Sequence, residues 1–375
     1  MNEKPTIVQV INDLSRGGAE TLLVGLLKDL DKHFNVILVT LNNSCEFDHE
    51  EIICSARYTL NYTSMYKLPR AVLQLRGIIK KHRPVLVGSH LFWSTIIARL
   101  ATPRRIPLAF SVHQMLSEGA FNFNRKGKLL RWLDKMTYHR RQTMIGVSEE
   151  VVKDYDHEIG ITGERYVLNN YVEDVFFQSN PQKEFLSGGK AKMVAVGNPK
   201  WEKNYEVLVR AFKLLDRSSV ACDIYGKSEY SSIIQRMIDE YEVPIIQKGK
   251  VNDIYERLRH YDLFIMPSRS EGFGIAAAEA MAAGLPLLLS DLQVLREVSG
   301  NNAVFFDTED ENDLAQKIKD IIMGKYDLIR MSEEGRAISR ASYSKEVYLK
   351  NLLQIYGRMI QASKDLRKDT RLQLG

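Results

Sequence analysis

Short apolar, β-branched runs alternate with amphipathic helical patterns from one end of this 375-residue chain to the other. The first half offers Thr6–Ile11, Asn35–Thr40, Val85–His90, Pro107–His113, Thr143–Ser148 and Tyr166–Asn170. The second offers Lys192–Gly197, Ala221–Gly226, Pro244–Gly249, Leu263–Ser268, Leu285–Ser290 and Ala303–Asp307. Between them lie stretches such as Glu20–Leu30, Tyr205–Leu215 and Asp313–Met323, with apolar residues at helical spacing. Strands apolar on both faces and separated by helices require parallel sheets joined by right-handed crossovers. Two such sets predict an α/β protein with two doubly wound domains, not one closed barrel of eight strands. The polar stretch Ser179–Lys190, with Asn180-Pro181 and Ser187-Gly188-Gly189, reads as the linker. The expected domains are therefore 1–178 and 179–342. A last helix, Ser344–Ile360, is expected to pack back toward the first domain within 343–375, with the tail after it frayed.

With 45% apolar and 26% charged residues, the chain can build cores of its own, which excludes disorder as the main state. Cys45, Cys54 and Cys222 have neither the number nor the spacing of a disulfide framework or a zinc site, which fits a reducing compartment. The start, MNEKPTIVQVIN, lacks the apolar stretch of a signal peptide, and the most apolar tract, Gly274–Ser290, is interrupted by Glu279 and Pro286. The reading is a soluble cytoplasmic protein with room for peripheral attachment to the cytoplasmic face of the inner membrane.

Charge is unevenly spread. Residues 57–141 hold 17 Lys/Arg against 2 Asp/Glu, a net of +15 in a chain of net +5. Such a block points to an anionic partner: a membrane surface, a phosphorylated lipid or a nucleic acid. Arg125–Arg141, RKGKLLRWLDKMTYHRR, has seven Lys/Arg against Asp134. On a helix, Leu129, Leu130, Trp132, Leu133 and Met136 can form one face flanked by Lys128, Arg131 and Lys135, the pattern of an interfacial helix. The competing reading packs that face on the domain's own sheet. Aromatics such as Tyr58, Tyr62 and Trp132 accompany the charges, but no recognised nucleic-acid module appears, so no nucleic acid is expected.

In open α/β sheets ligands bind beyond the C-terminal strand ends. Gly17-Gly18-Ala19-Glu20 stands there, after the first strand and at the start of its helix. Glycines admit close approach to backbone and a helix N-terminus favours anions, although no G-x-G-x-x-G is present. The densest motif is Pro267-Ser268-Arg269-Ser270-Glu271-Gly272-Phe273-Gly274, running into an alanine-rich helix that stops at Gly284-Leu285-Pro286. Its N-terminal N–H groups are free for phosphate or hydroxyls. Eight helical steps would set Glu271 and Glu279 about 12 Å apart, beyond the roughly 5–9.5 Å of glycosidase pairs. Recognition of hydroxyls fits these carboxylates better.

The run EGFGIAAAEAMAAGLP resembles the signature of retaining glycosyltransferases of family 4 (glycosyl transferases group 1), which have the GT-B fold: two Rossmann-like domains facing a central cleft. Leu14–Glu20, Ser111-Val112-His113, Gly146-Val147-Ser148, Val167–Val172 and Val196-Gly197 with Lys203-Asn204 resemble further pieces in order, over nearly the whole chain. The resemblance implies that Glu279 binds the nucleotide ribose, and that Glu271 with the amides of Phe273, Gly274 and Ile275 binds donor sugar or phosphate. It implies that Lys203 neutralises the diphosphate, that Gly17 and Gly18 pack against it, and that His113 bonds the sugar near the reaction centre. Where the family commonly places a second diphosphate cation, an arginine, this chain has Asn198, so Asn198 or Lys200 must serve there. Ser148 reads as an N-cap instead of a ligand contact.

The implied activity is metal-independent, retaining transfer of a hexose or related sugar from a nucleoside-diphosphate sugar. UDP is favoured and GDP possible, no cofactor is required, and the acceptor is a glycan or lipid-linked glycan of cell-surface polysaccharide. The Asp-x-Asp matches, Asp29/Asp31 and Asp154/Asp156, fall in helical patterns instead of at strand ends and read as solvated faces. A sugar-nucleotide epimerase of the same shape is the alternative enzyme.

Overall fold

The computed structural model describes residues 4–117, 125–178, 184–187 and 189–372. Half of the expected linker (residues 179–183 and 188), and Glu118, Phe121 and Phe123 of the basic block, lie outside the described residues.

The chain divides into two units, residues 1–169 with 348–375 and residues 170–347. The first contains β1 (Thr6–Ile11), α1 (Gly18–Asp31), β2 (Asn35–Thr40), β3 (Ala56–Thr59), α2 (Leu68–His82), β4 (Leu86–His90), α3 (Phe92–Ala101) and β5 (Leu108–Val112). It continues through α4 (Arg125–Thr137), β6 (Gln142–Gly146), α5 (Glu149–Ile159) and β7 (Arg165–Val167). The second contains β8 (Ala191–Val196), α6 (Tyr205–Lys213), β9 (Val220–Tyr225), α7 (Ser231–Tyr241), β10 (Ile245–Gly249), α8 (Ile254–Leu258) and β11 (Leu263–Met266). It ends with α9 (Ile275–Ala282), β12 (Leu287–Ser290), α10 (Gln293–Ser299), β13 (Val304–Phe306), α11 (Glu311–Ile322) and α12 (Leu328–Tyr343). A long helix, α13 (Lys345–Leu372), follows.

Both sheets are parallel, in the orders β3-β2-β1-β4-β5-β6-β7 and β10-β9-β8-β11-β12-β13. Their interior strands are apolar on both faces because helices cover both: Ile7, Val8, Val10 and Ile11 of β1 are all fully buried. β3 is the strand the apolar runs do not announce. It reads ARYT, sits at the sheet edge and is half-buried throughout. The tail expected to fray after Ile360 instead continues α13 to Leu372. Along α13, Leu352, Ile355, Tyr356 and Met359 are buried, and Ser363 Oγ donates to the Arg105 carbonyl of the first unit at 3.0 Å.

Helix starts follow the local chemistry. Ser148 caps α5 by accepting the Val151 amide at 3.2 Å, and Asp310 caps α11 through the amides of Asn312 and Asp313. In each sheet the chain reverses direction beside the first strand, at β1/β4 and at β8/β11. Those switch points open crevices at the C-terminal strand ends, where ligands of such sheets bind.

Among the described residues no helix is long and apolar enough to cross a membrane. α4 turns out to carry apolar residues on both sides. Gly127 and Asp134 are buried and Leu130 and Leu133 half-buried, whereas Leu129, Trp132 and Met136 are 50%, 58% and 64% exposed. Arg131 is not a free flank, since it pairs with Glu158 of α5.

Candidate active site

At the β8/β11 switch point, the loops after the two strands bring Lys203, Ser268 and Glu271 together. Lys203 Nζ donates to Glu271 Oε1 at 2.5 Å, and Ser268 Oγ donates to the same oxygen at 2.6 Å. The glutamate side chain is 10% exposed and the lysine 26%, so the pair is shielded yet reachable. Lys203 closes a 3-10 turn, Trp201–Lys203, that ends on Asn204 in the left-handed conformation at φ 50°. Asn204 is buried, and its Nδ2 ties the turn to the Thr308 carbonyl at 2.8 Å.

Gly197 follows β8, and its carbonyl accepts the Tyr205 hydroxyl at 3.0 Å. Gly226, at φ 140°, lies directly beneath: a Cβ there would sit 2.2 Å from the Gly197 oxygen. Asn198 is exposed, with its Oδ1 accepting the Lys227 amide at 3.1 Å, and Lys200 is exposed beside it.

The glycine loop leads into α9 through Gly274, in the left-handed region at φ 87° with Leu295 only 2.8 Å from where a Cβ would stand. Ile275 opens the helix. Phe273 is a core residue, its ring edge-on to Tyr343 at 5.2 Å, so the backbone is what it offers a ligand. Glu279 lies one turn further along α9, and its carboxylate has no hydrogen bond or ion pair among the described residues. Burial, with the like charge of Glu173 adding to it, pushes its carboxyl up to about 8.

Arg269 stands within the motif, but its role is not legible in the sequence. Its guanidinium makes a two-pronged contact with Glu309 (2.7 and 3.2 Å), donates to the Trp201 carbonyl (2.7 Å) and lies over the Trp201 ring at 4.8 Å. It thereby fastens the turn that carries Lys203 to the loop that carries Glu271. The partners are distant in sequence, so no local pattern could announce them.

In the first unit, His113 follows β5 and lines a cavity of about 60 Å³ with Phe92, Ser111, Gln114 and Tyr155. Its Nε2 is buried without a hydrogen-bond partner among the described residues, and burial pushes the imidazole down to about 4, so it is neutral at pH 7. His90, at the end of β4, stands 6.0 Å from it between ring centres. His90 Nε2 meets Gln9 Oε1 at 3.0 Å, and Gln9 Nε2 donates to the Tyr356 hydroxyl at 3.1 Å, so α13 helps set this histidine pair. A Cβ on Gly88 would fall 2.3 Å from Gln9 Oε1, which explains the glycine inside β4. The signals were a polar residue amid the apolar run of β1 and a second strand-end histidine. Leu91, next to His90, holds φ 71° and ψ 168°, a conformation costing roughly 1–3 kcal/mol that clusters at ligand sites.

Gly17 is the N-cap of α1 and Gly18 its first residue. A Cβ on Gly17 would lie 2.4 Å from Glu20 Oε2, whereas Gly18 faces open space. Burial, against a backbone hydrogen bond and with Asp13 adding, raises the Glu20 carboxyl. The Asp-x-Asp carboxylates lie on α1 and α5, as their helical patterns implied, and have local partners. Asp29 pairs with Lys32 (2.8 Å), Asp154 accepts the Ser117 amide (3.2 Å) and Asp156 takes Arg165.

Two doubly wound parallel units of this kind define the GT-B fold class. HepE of Anabaena, crystallised in complex with UDP, matches with a TM-score of 0.79 at 16% identity, over 94% of this chain and 100% of that one. Sequence narrows the class. Residues 16–173 match Glycosyltransferase Family 4 and residues 176–338 match Glycosyl transferases group 1. WbnH of Escherichia coli, an O-antigen biosynthesis glycosyltransferase, is 30% identical over 300 residues, 79% of this chain and 84% of that protein. RfbU of Salmonella typhimurium, an O-antigen chain mannosyltransferase, is 25% identical over 197 residues, 51% of this chain and 54% of that protein. The chain belongs to this family of glycosyltransferases.

Proposed function

We propose that the chain transfers a hexose or related sugar, with retention, from a nucleoside-diphosphate sugar to a glycan or lipid-linked acceptor in cell-surface polysaccharide assembly. UDP is the favoured nucleotide and GDP the alternative. The observation that carries this reading is the Lys203–Glu271–Ser268 constellation at a switch point, beside the N-terminus of α9. WbnH and RfbU, by their names, act in O-antigen synthesis, and HepE binds UDP, which supports both the process and the donor. A screen of sugar nucleotides, read as released nucleotide with glycan extracts as acceptors, tests it. Release that is the same with and without acceptor for every donor would refute transfer.

On this reading the second unit holds the donor. Glu279 accepts the ribose hydroxyls, and the amides of Phe273, Gly274 and Ile275 face sugar or phosphate oxygens. Lys203 leaves Glu271 for the diphosphate, freeing that carboxylate for a sugar hydroxyl. Asn198 and Lys200 stand where a second cation would serve, and Gly17 and Gly18 leave backbone open on the first unit. The bond from the anomeric carbon to the diphosphate breaks and the acceptor oxygen bonds that carbon. Its proton passes to the departing phosphate, whose charge Lys203 and the α9 amides stabilise. His113, neutral with Nε2 unpaired, bonds a sugar hydroxyl. No metal is required: transfer is expected to persist in excess EDTA, and activity abolished by EDTA and restored by magnesium would contradict this.

The glutamate makes donor affinity depend on pH. With a free-site value of about 8, Glu279 is largely protonated at pH 7, while ribose hydroxyls donate best to the charged form. Donor binding therefore releases a proton, and affinity rises with pH up to about 8 and then levels. Calorimetry in buffers of different ionisation enthalpy should record that release for the wild type and none for Glu279→Gln. Glu279→Ala should weaken nucleotide binding by roughly 1.5–3 kcal/mol, whereas Glu271→Ala should act mainly on turnover.

The acceptor reading includes an anionic membrane surface met by residues 125–141, since the exposed side of α4 presents Leu129, Trp132 and Met136 between Lys128 and Lys135.

A further inference from the structure

At the N-terminal strand ends of the first sheet, the end away from His113, the segments entering β5 and β6 enclose a cavity of about 170 Å³ whose lining includes Arg104, Met136, Thr137, His139, Arg141 and Gln142. Of its lining cations Arg99 is held by Asp134, whereas Arg104 and Arg141 are exposed and unpaired, as is Arg140 beside them. The side chains of Arg104, Arg140 and Arg141 have no hydrogen bond or ion pair among the described residues, unlike Arg131 nearby. All three press on His139: burial first, then Arg104, Arg141 and Arg140, hold its imidazole below the ordinary range. His139 Nδ1 accepts the Arg141 amide at 3.2 Å, which leaves the proton on Nε2 as a further donor. The turn is built for this, since the Gln142 side chain accepts the His139 amide at 3.2 Å. Guanidinium forks and an imidazole N–H suit the tetrahedral oxygens of a phosphate.

Met136 belongs both to this cavity and to the exposed stripe Leu129–Trp132–Met136 of α4. We propose that the cavity is a phosphate pocket that seats the headgroup of an anionic phospholipid while the stripe enters the acyl boundary. The inference rests on the membrane reading of α4 and adds to it a defined headgroup site. A diffuse positive surface would treat every cation of residues 57–141 alike, whereas a pocket gives Arg104 and Arg141 a larger share.

Co-sedimentation with phosphatidylcholine vesicles, with and without phosphatidylglycerol, separates the possibilities. Each surface cation is worth about fivefold in affinity for an anionic bilayer, so Arg70→Gln/Lys80→Gln on α2 is expected to weaken binding about 25-fold. Arg104→Gln/Arg141→Gln removes the same charge and should cost at least about tenfold more, with donor affinity and melting unchanged. Equal losses in the two double variants would overturn the pocket yet leave membrane docking standing. Leu129→Ser/Trp132→Ser probes the docking itself and should release the protein from vesicles. Were the wild type to ignore phosphatidylglycerol, the lipid assignment would fall outright, even if inorganic phosphate bound in titration and was lost in Arg104→Gln/Arg141→Gln.

Discussion

Lys203→Ala is expected to lower kcat by roughly 10²–10³-fold, the usual consequence of removing one preorganised group from a developing charge. In the proposed reaction the leaving diphosphate gathers charge as its bond to the anomeric carbon breaks, and the family resemblance puts Asn198 where an arginine would have shared the work. With Lys200 exposed and Lys203 already held at the site, that reading gives Lys203 the larger share of the compensation. The free protein already holds the ammonium in place, through Glu271 at 2.5 Å and a turn fastened by Asn204 and Arg269. The variant also leaves Glu271, 10% exposed, without its cation, so part of the loss should appear in donor binding. Arg269→Lys keeps the charge but loses the fork to Glu309, and should raise the donor KM more than it lowers kcat. Single-turnover measurement with saturating donor separates these effects. A wild-type kcat in Lys203→Ala would remove this lysine from the mechanism.

Much of the architecture was legible because period and composition suffice for strands buried on both faces. The runs that became β1 and β2 match the observed strands residue for residue. β3 escaped because an edge strand with every residue half-buried has no apolar run to show. The site was legible where one segment carries it: the glycine loop, Glu271 and Glu279 fall within a single stretch. It was illegible where distant segments meet. Ser268 could be named, but its sharing of one Glu271 oxygen with Lys203 could not. Gln9, His90 and Tyr356 lie on three elements, and Tyr356 comes from the far end of the chain.

α4 shows the limit most clearly. Both of its sides carry apolar residues, so periodicity could not say which faces the sheet, and Asp134 read as the one acid opposing a basic run. Asp134 instead decides the orientation, being buried against Arg99 of α3. The Arg99 side chain is 0% exposed, its guanidinium lies 4.3 Å over the Phe110 ring, and its Nη2 donates to the Tyr155 hydroxyl at 3.1 Å. That hydroxyl donates in turn to Asp134 Oδ1 at 2.7 Å.

Asp134→Ala should therefore cost about 3–5 kcal/mol, because it strands a buried guanidinium whose other partners, the Tyr155 hydroxyl and the Phe110 ring, carry no charge. Arg99→Leu strands the carboxylate and should cost a similar amount. The double variant Arg99→Leu/Asp134→Leu removes both charges together and should recover most of the loss, since desolvation offsets much of a buried pair's attraction. Urea unfolding of the first unit, followed at Trp132, measures this cycle. Single-variant costs that simply add in the double variant would mean the two charges are not coupled. On the membrane reading proposed above, loss of Asp134 leaves Arg131–Glu158 as the ion pair holding α4, and the helix is expected to turn about its axis and bury Trp132, removing the exposed stripe. Asp134→Ala should then lose affinity for anionic vesicles at urea concentrations where the unit is still folded, although it removes a negative charge.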